Sequence, residues 1–329
     1  MRTIAPWIAL LFACTAARAA KTLDIYFVDV EGGQATLVVA PGGQSLLIDA
    51  GFTGNGGRDA DRIARAAKAA GVKHLDALLV THFHPDHSGG VPNVIERLPA
   101  TTFLDHGPSV EAEGKYPEAY AAAIAKGQHR VLQAGETIMI KAMKITVVSA
   151  AGKTIRRPGD SNSHCAGLAP HPETEDDGED AQSVGIVLEF GKFRFGDFAD
   201  LTWNKQLALL CPDNRVGKLD LLLAPRHGGL APQALWGLAP RVTIINNSAK
   251  IGAGPQAWKT TSGSPGLEDI WQLHFAGAGG KEANAPDSLI ANVEEDGAGD
   301  YLKVSAMPDG SFTVFNARNK YTKTYGRGY

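Results

Sequence analysis

Three histidines and an aspartate crowd one short stretch, Thr81-His82-Phe83-His84-Pro85-Asp86-His87-Ser88-Gly89-Gly90. Imidazole and carboxylate groups suit zinc and similar divalent cations, and a loop carrying four of them can feed two ions. The apolar run Ala77-Leu78-Leu79-Val80 before it reads as a buried strand, and Ser88-Gly89-Gly90 after it as a turn into a helix. An extended backbone sends the side chains of His82 and His84 to the same side, with Asp86 and His87 following on the turn.

This stretch resembles the HxHxDH signature of the metallo-β-lactamase superfamily, with His82, His84, Asp86 and His87 each on a motif position. The resemblance implies a four-layer αββα sandwich and two metal ions, zinc first, with manganese or iron as alternatives. His82 and His84 would hold one ion, Asp86 and His87 the other. It further implies metal-assisted hydrolysis, with Asp86 or a water handling the proton. The segment Phe27-Val28-Asp29-Val30-Glu31-Gly32-Gly33-Gln34-Ala35 is similar to the branch related to the hydrolase domain of bacterial competence (DNA-uptake) proteins.

That branch supplies expectations for the distant ligands. Its bridging Asp lies about one strand pair beyond a Ser and directly before a helix. Counting from Ser183 leads to Asp200, with Ala199 in place of the usual Gly, while Asp197 of Gly196-Asp197 is the competing residue. Arg226-His227-Gly228-Gly229 stands where the branch often has His-His-Gly-Ser, so His227 is the expected last ligand. Arg226 then binds an anionic substrate group or pairs with an acidic loop. The usual place of a third His for the first ion reads Glu179-Asp180-Ala181-Gln182. Asp180, His106 and His164 are the alternatives there. Asp49 is expected to accept a hydrogen bond from behind the ligands.

The elements that position these residues follow from pattern. Leu23 to Val30, Ala35 to Val39 and Ser45 to Asp49 read as a meander of strands, and residues 58–70 as an Ala-rich helix ended by Gly71. Further strands are expected at Thr101–Leu104, Ser183–Phe190, Phe193–Asp200, Leu219–Ala224 and Arg241–Ile245, with helices at Tyr116–Lys126, Trp203–Leu210 and residues 264–273. A hairpin from Tyr301 to Phe315 is expected to close the chain. Residues 150–180 are rich in Gly, Pro and Asp and read as a long insertion with little core material. Asn246 and Asn247, at a strand end before the Gly-rich loop Lys250–Pro255, are candidate substrate-binding residues, and one or the other is expected to face the metals.

Composition bounds the rest. With 329 residues, 44% of them hydrophobic, the chain has ample core, and a net charge of −3 does not favour a nucleic-acid partner. The apolar run Ile4–Ala13 after Met1-Arg2-Thr3, then Ala17-Arg18-Ala19, reads as a secretory signal cleaved after Ala19 or Ala20. Residues 1–20 are therefore a signal peptide and 21–329 one hydrolase domain, periplasmic or secreted, with no transmembrane segment in the mature chain. Lipidation at Cys14 of Leu11-Phe12-Ala13-Cys14 is the rival reading. Cys165 and Cys211 remain after cleavage as a candidate disulfide. The resemblance implies a substrate with a small-molecule ester or amide bond, or a phosphodiester. Extracellular nucleic acid, or a binding role without catalysis, are the alternatives.

Overall fold

The computed structural model describes residues 22–140, 142–171, 176–229, 231–295 and 297–328. The chain opens as an antiparallel meander, β1 (Leu23–Phe27), β2 (Thr36–Val39) and β3 (Ser45–Ile48). Every residue of β2 and β3 is buried, as in strands covered on both faces. Helix α1 (Arg58–Ala69) lays Ile63, Ala66 and Ala67 against the sheet. Then β4 (Leu75–Leu79), α2 (Pro85–Ser88), α3 (Val91–Arg97), β5 (Ala100–Asp105), α4 (Glu118–Ile124) and β6 (Gln128–Val131) follow. From β3 to β6 neighbouring strands are parallel, so their carboxyl ends share one rim.

The second sheet begins with β7 (Thr137–Ile140), β8 (Met143–Ala150) and the short β9 (Lys153–Thr154). After β10 (Asp160–Ser161) and α5 (Glu179–Gln182) come β11 (Gly185–Phe190), β12 (Phe193–Asp197), α6 (Trp203–Leu210) and β13 (Asp213–Asn214). The sheet is completed by β14 (Leu221–Leu223), the irregular turn α7 (Pro225–Gly228), β15 (Val242–Ile245), α8 (Pro255–Ser262), β16 (Asp269–His274) and β17 (Ile290–Asn292). Strands β12 and β14 to β17 are parallel neighbours, so their carboxyl ends also share a rim. Finally β18 (Leu302–Ala306), β19 (Phe312–Asn316) and β20 (Thr322–Tyr325) return to the first sheet beside β1.

One apolar core lies between the sheets, and two more lie under the outer helices. This is the αββα sandwich that the resemblance implied. Phe27 and Phe195 meet edge to face across the central layer, with centroids 5.7 Å apart. Such a pair contributes about 0.5–1.5 kcal/mol beyond its buried area. No helix among the described residues is long and apolar enough to cross a membrane.

Three expectations change. Residues 264–273 are not a helix: the helix is α8, nine residues earlier in onset and capped by Gly263, and Ile270-Trp271-Gln272-Leu273 belongs to a buried strand. Isoleucine and tryptophan fit a pleated, buried surface, and that packing decides over the weak helical pattern. The terminal hairpin is joined by a third strand, β20. The 150–180 insertion is not poor in anchors. Ile155 packs into the core beneath α6, Asn162 Nδ2 donates to Leu210 O and Ala234 O (3.1 and 2.9 Å), and Cys165 is disulfide-bonded to Cys211. The signal sequence lies outside the described residues.

Candidate metal centre

The parallel connectivity of both sheets delivers the predicted donors to one rim, at the carboxyl ends of β3, β4, β12 and β14. The loop after β4 is pinned first. Asp49, in the left-handed region at φ 59°, accepts from Thr81 N through Oδ1 (2.8 Å) and from Thr81 Oγ1 through Oδ2 (2.7 Å). The close packing of this loop on its neighbours demands glycine. A Cβ at Gly33 would lie 2.3 Å from Asp86 O, and one at Gly90 2.0 Å from Ala50 O.

One group of donors comprises His82, His84 and Asp180. His82 Nε2 is 3.1 Å from His84 Nδ1, which is 2.9 Å from Asp180 Oδ1. Asp180 therefore stands where a third histidine was sought. His106 does not: its Nε2 donates to Glu179 Oε2 (3.1 Å). His164 packs instead on Trp236, with centroids 5.6 Å apart. A second group comprises Asp86, His87 and His227. His227 Nε2 lies 3.3 Å from His87 Nε2 and 3.3 Å from Asp86 Oδ2.

Asp200 lies between the groups. Its Oδ1 is 3.6 Å from His87 Nε2, its Oδ2 is 3.3 Å from His227 Nε2, and it forms a further triad with His82 and His87. Asp197 is turned elsewhere. Its oxygens accept from Gln34 Nε2 (2.9 Å) and Ala199 N (3.0 Å), and burial pushes its carboxyl up to about 7.

Each imidazole of the two groups has a partner on its other nitrogen, which fixes the tautomer that leaves one lone pair for a cation. His87 Nδ1 donates to Asp49 Oδ2 (2.7 Å), and His82 Nδ1 to Thr81 Oγ1 (3.2 Å). His84 Nε2 faces Glu111 Oε1 (3.4 Å). The Asn246 amide lies 3.1 Å from His227 Nδ1, and Asn246 Oδ1 is buried without a partner. With His227 Nε2 ligating, Nδ1 carries the proton and the amide oxygen is its natural acceptor. Sequence reasoning assigned only Asp49 to this role. Thr81, beside the motif, was the legible but unused signal.

The donor set fits cations. Asp180 Oδ1 and Asp200 Oδ1 are buried oxygens without hydrogen-bond partners, and both face nitrogens able to offer lone pairs. Unpartnered buried carboxylate oxygens are costly, and an ion among the donors satisfies them together. The electrostatics agree. Burial would raise the Asp200 carboxyl, yet His227 and His87 hold it well below the usual carboxylate range. Burial likewise opposes protonation of His227, but Asp200 and Asp86 carry its imidazole up to about 10, while the neighbouring Asp180 carboxylate takes His84 to about 9. Protons and cations therefore compete for the same nitrogens.

Around this centre, Arg226 NH1 donates to Asp180 Oδ2 (2.5 Å) and Asp200 O (3.0 Å). Arg226 and His227 are both left-handed, at φ 55° and 56°, so consecutive side chains at the end of β14 splay toward the rim. Asn247 does not face the metals. It is fully buried, and its amide nitrogen donates to Ser248 O and His274 O, so it clamps backbone instead. The Gly-rich loop does close on the site: Ala253 N donates to His227 O (3.1 Å), and a Cβ at Gly252 would lie 2.0 Å from that oxygen.

The model of the metallo-beta-lactamase superfamily matches residues 28–187. No curated protein matches the chain. Among solved structures, the metallo-beta-lactamase fold protein YhfI from Bacillus subtilis is similar at 13% identity, over 76% of this chain and 96% of its own, with a TM-score of 0.46. Tm1679, described as a metal-dependent hydrolase of the beta-lactamase superfamily, is similar at 13% identity over 76% of this chain and 95% of its own, with a TM-score of 0.48. CmlA from Streptomyces venezuelae, a diiron beta-hydroxylase, is similar at 15% identity over 61% of this chain and 34% of its own, with a TM-score of 0.38. The superfamily match takes in the motif His82–His87 and Asp180.

Proposed function

We propose that the protein is a two-metal hydrolase acting on an ester, amide or phosphodiester bond in a small molecule that carries an anionic group. The observation that carries this reading is the closure of two donor groups around Asp200, with each ligand imidazole held from behind. Two bound zinc ions, or manganese or iron in their place, would supply Lewis acidity and a water acidified toward about pH 7.

The chain's own residues do the remainder. Asp200 sets the spacing of the two groups. Asp86, with a side chain 23% exposed against 11% for Asp200, is the more open carboxylate and takes up the proton released by the attacking water. Three carboxylates, Asp86, Asp180 and Asp200, offset all but one charge of two dications, so the loaded site is net positive and favours an anion. Arg226 commits NH1 to Asp180 and Asp200. The rest of its guanidinium, on a side chain 36% exposed, is open to the substrate's anionic group.

Zinc- and manganese-loaded protein should hydrolyse at least one of a chromogenic phosphodiester, a β-lactam and a lactone, with activity lost on chelation. No turnover of any of the three, with both ions demonstrably bound, would leave a binding protein on this fold. Export is part of the same proposal, and the Cys165–Cys211 bridge supports it, because such bonds persist in oxidising compartments. Mass spectrometry of the exported form should find an N-terminus at Ala20 or Lys21. A lipid on Cys14 would replace this with an anchored form.

A further inference from the structure

We propose that Asp29, Glu31 and His274 form a third, mononuclear cation site, distinct from the groups around Asp200, that takes a divalent first-row transition ion. Asp29 and Glu31 lie on the turn after β1, and His274 ends β16, so the site joins the two sheets at the same rim. His274 Nε2 is 2.9 Å from Asp29 Oδ1 and 3.5 Å from Glu31 Oε2. The imidazole is 1% exposed, and neither ring nitrogen has a hydrogen-bond partner. Nε2 therefore points between the two oxygens rather than along a line to either. The donors around Asp200 show the same signature, with separations of 2.9–3.6 Å and orphaned buried atoms.

Arg62 does not fill the place of the cation, because it holds the opposite oxygens. Its NH1 donates to Asp29 Oδ2 (2.7 Å) and Glu31 Oε1 (2.9 Å), and NH2 donates to Gly297 O (3.2 Å). One oxygen of each carboxylate is thus left facing His274. Two carboxylates against one guanidinium leave one net negative charge in a largely buried place, which needs a further positive partner. One nitrogen and two carboxylate oxygens suit manganese or zinc. An open cleft of about 460 Å³, lined by Glu31, Arg58, Arg62, Ser248 and Glu295 among others, gives an entry path.

An ion here would staple the turn after β1 to the end of β16. Both segments touch the main centre or its neighbours: Gln34 N donates to Asp86 O (3.1 Å), and Asn247 Nδ2, next to Asn246, donates to His274 O (2.8 Å). The competing occupant is a proton on His274, which would make the cluster an ordinary ion-pair network.

Metal-stripped protein reloaded with Mn²⁺ and counted by mass spectrometry decides between them. The parent should hold three equivalents, and Glu31→Gln and His274→Gln one fewer each. The loss is read against the parent, so failure of the two-metal reading changes the total and leaves the difference intact. A crystal of the parent soaked in Mn²⁺ should give an anomalous peak among Asp29, Glu31 and His274, which decides the matter even where a variant does not fold. Equal counts in parent and variants, or no such peak, overturns the third site.

Discussion

Asp200→Ala should abolish turnover and leave fewer than two ions bound in the groups around Asp200, while Asp197→Asn should keep both of those ions and turnover within a few-fold of the parent. Asp200 touches both donor groups, with oxygens 3.6 Å from His87 Nε2 and 3.3 Å from His227 Nε2. Losing a residue that only supports a metal ligand costs about 10–100-fold in affinity or activity. Removing a carboxylate shared by both groups takes away more: the spacing of the ions and one of three charges that offset them. A loss of about 1,000-fold or more is the expectation, at or above the upper end of what losing a single electrostatic contact costs. Asp197 touches neither group, and burial already favours its neutral form. An asparagine can keep the contact, because the Gln34 amide can turn to present its oxygen. Initial rates and metal counts on the two variants check this. Activity kept in Asp200→Ala and lost in Asp197→Asn would reverse the roles.

The parts of the site that lie close together in sequence were legible, because their spacing alone encodes their geometry. His82, His84, Asp86 and His87 come from one loop, and a strand followed by a Gly-rich turn can present them in few ways. The choice between Asp197 and Asp200 needed a register count, since residues three apart at a strand end leave in different directions. Asp180 was legible only as one of three alternatives. Its approach to His84 depends on the course of the whole insertion, which local pattern does not encode. Asn247 shows the reverse limit. Two adjacent asparagines at a strand end look alike in sequence, but the pleat sends one to His227 and the other to the backbone of β16. The residues 264–273 fail for a related reason. A short apolar segment carries no period that separates helix from strand, and burial between β15 and β17 makes the decision.

The insertion that carries Asp180 makes the disulfide the second large effect. Cys165 and Cys211 are 46 residues apart, and the segment between them holds Asp180, β11, β12, Asp200 and α6. Cross-linking a loop of that length removes denatured-state entropy worth about 4 kcal/mol at 25 °C. Domains of this kind are stable by only about 5–15 kcal/mol, so the bridge accounts for a substantial share. Other contacts would remain on the insertion, among them the Asn162 amide bonds to Leu210 O and Ala234 O, at about 1 kcal/mol each, the Arg157 bonds to Arg215 O and Val216 O, and the two-residue pairing of β10 with β13, so the loss falls short of the full entropic value. The Cys165→Ala/Cys211→Ala variant should therefore lose about 2–4 kcal/mol in urea unfolding. Because Asp180 sits within the released loop, the ion beside His82 and His84 should weaken first, while Asp86, His87 and His227 still hold theirs. Urea melts with and without reductant, paired with metal counts at each step, read both effects. An unchanged midpoint would mean that the packing of Ile155 and its neighbours beneath α6 holds the insertion without the bridge.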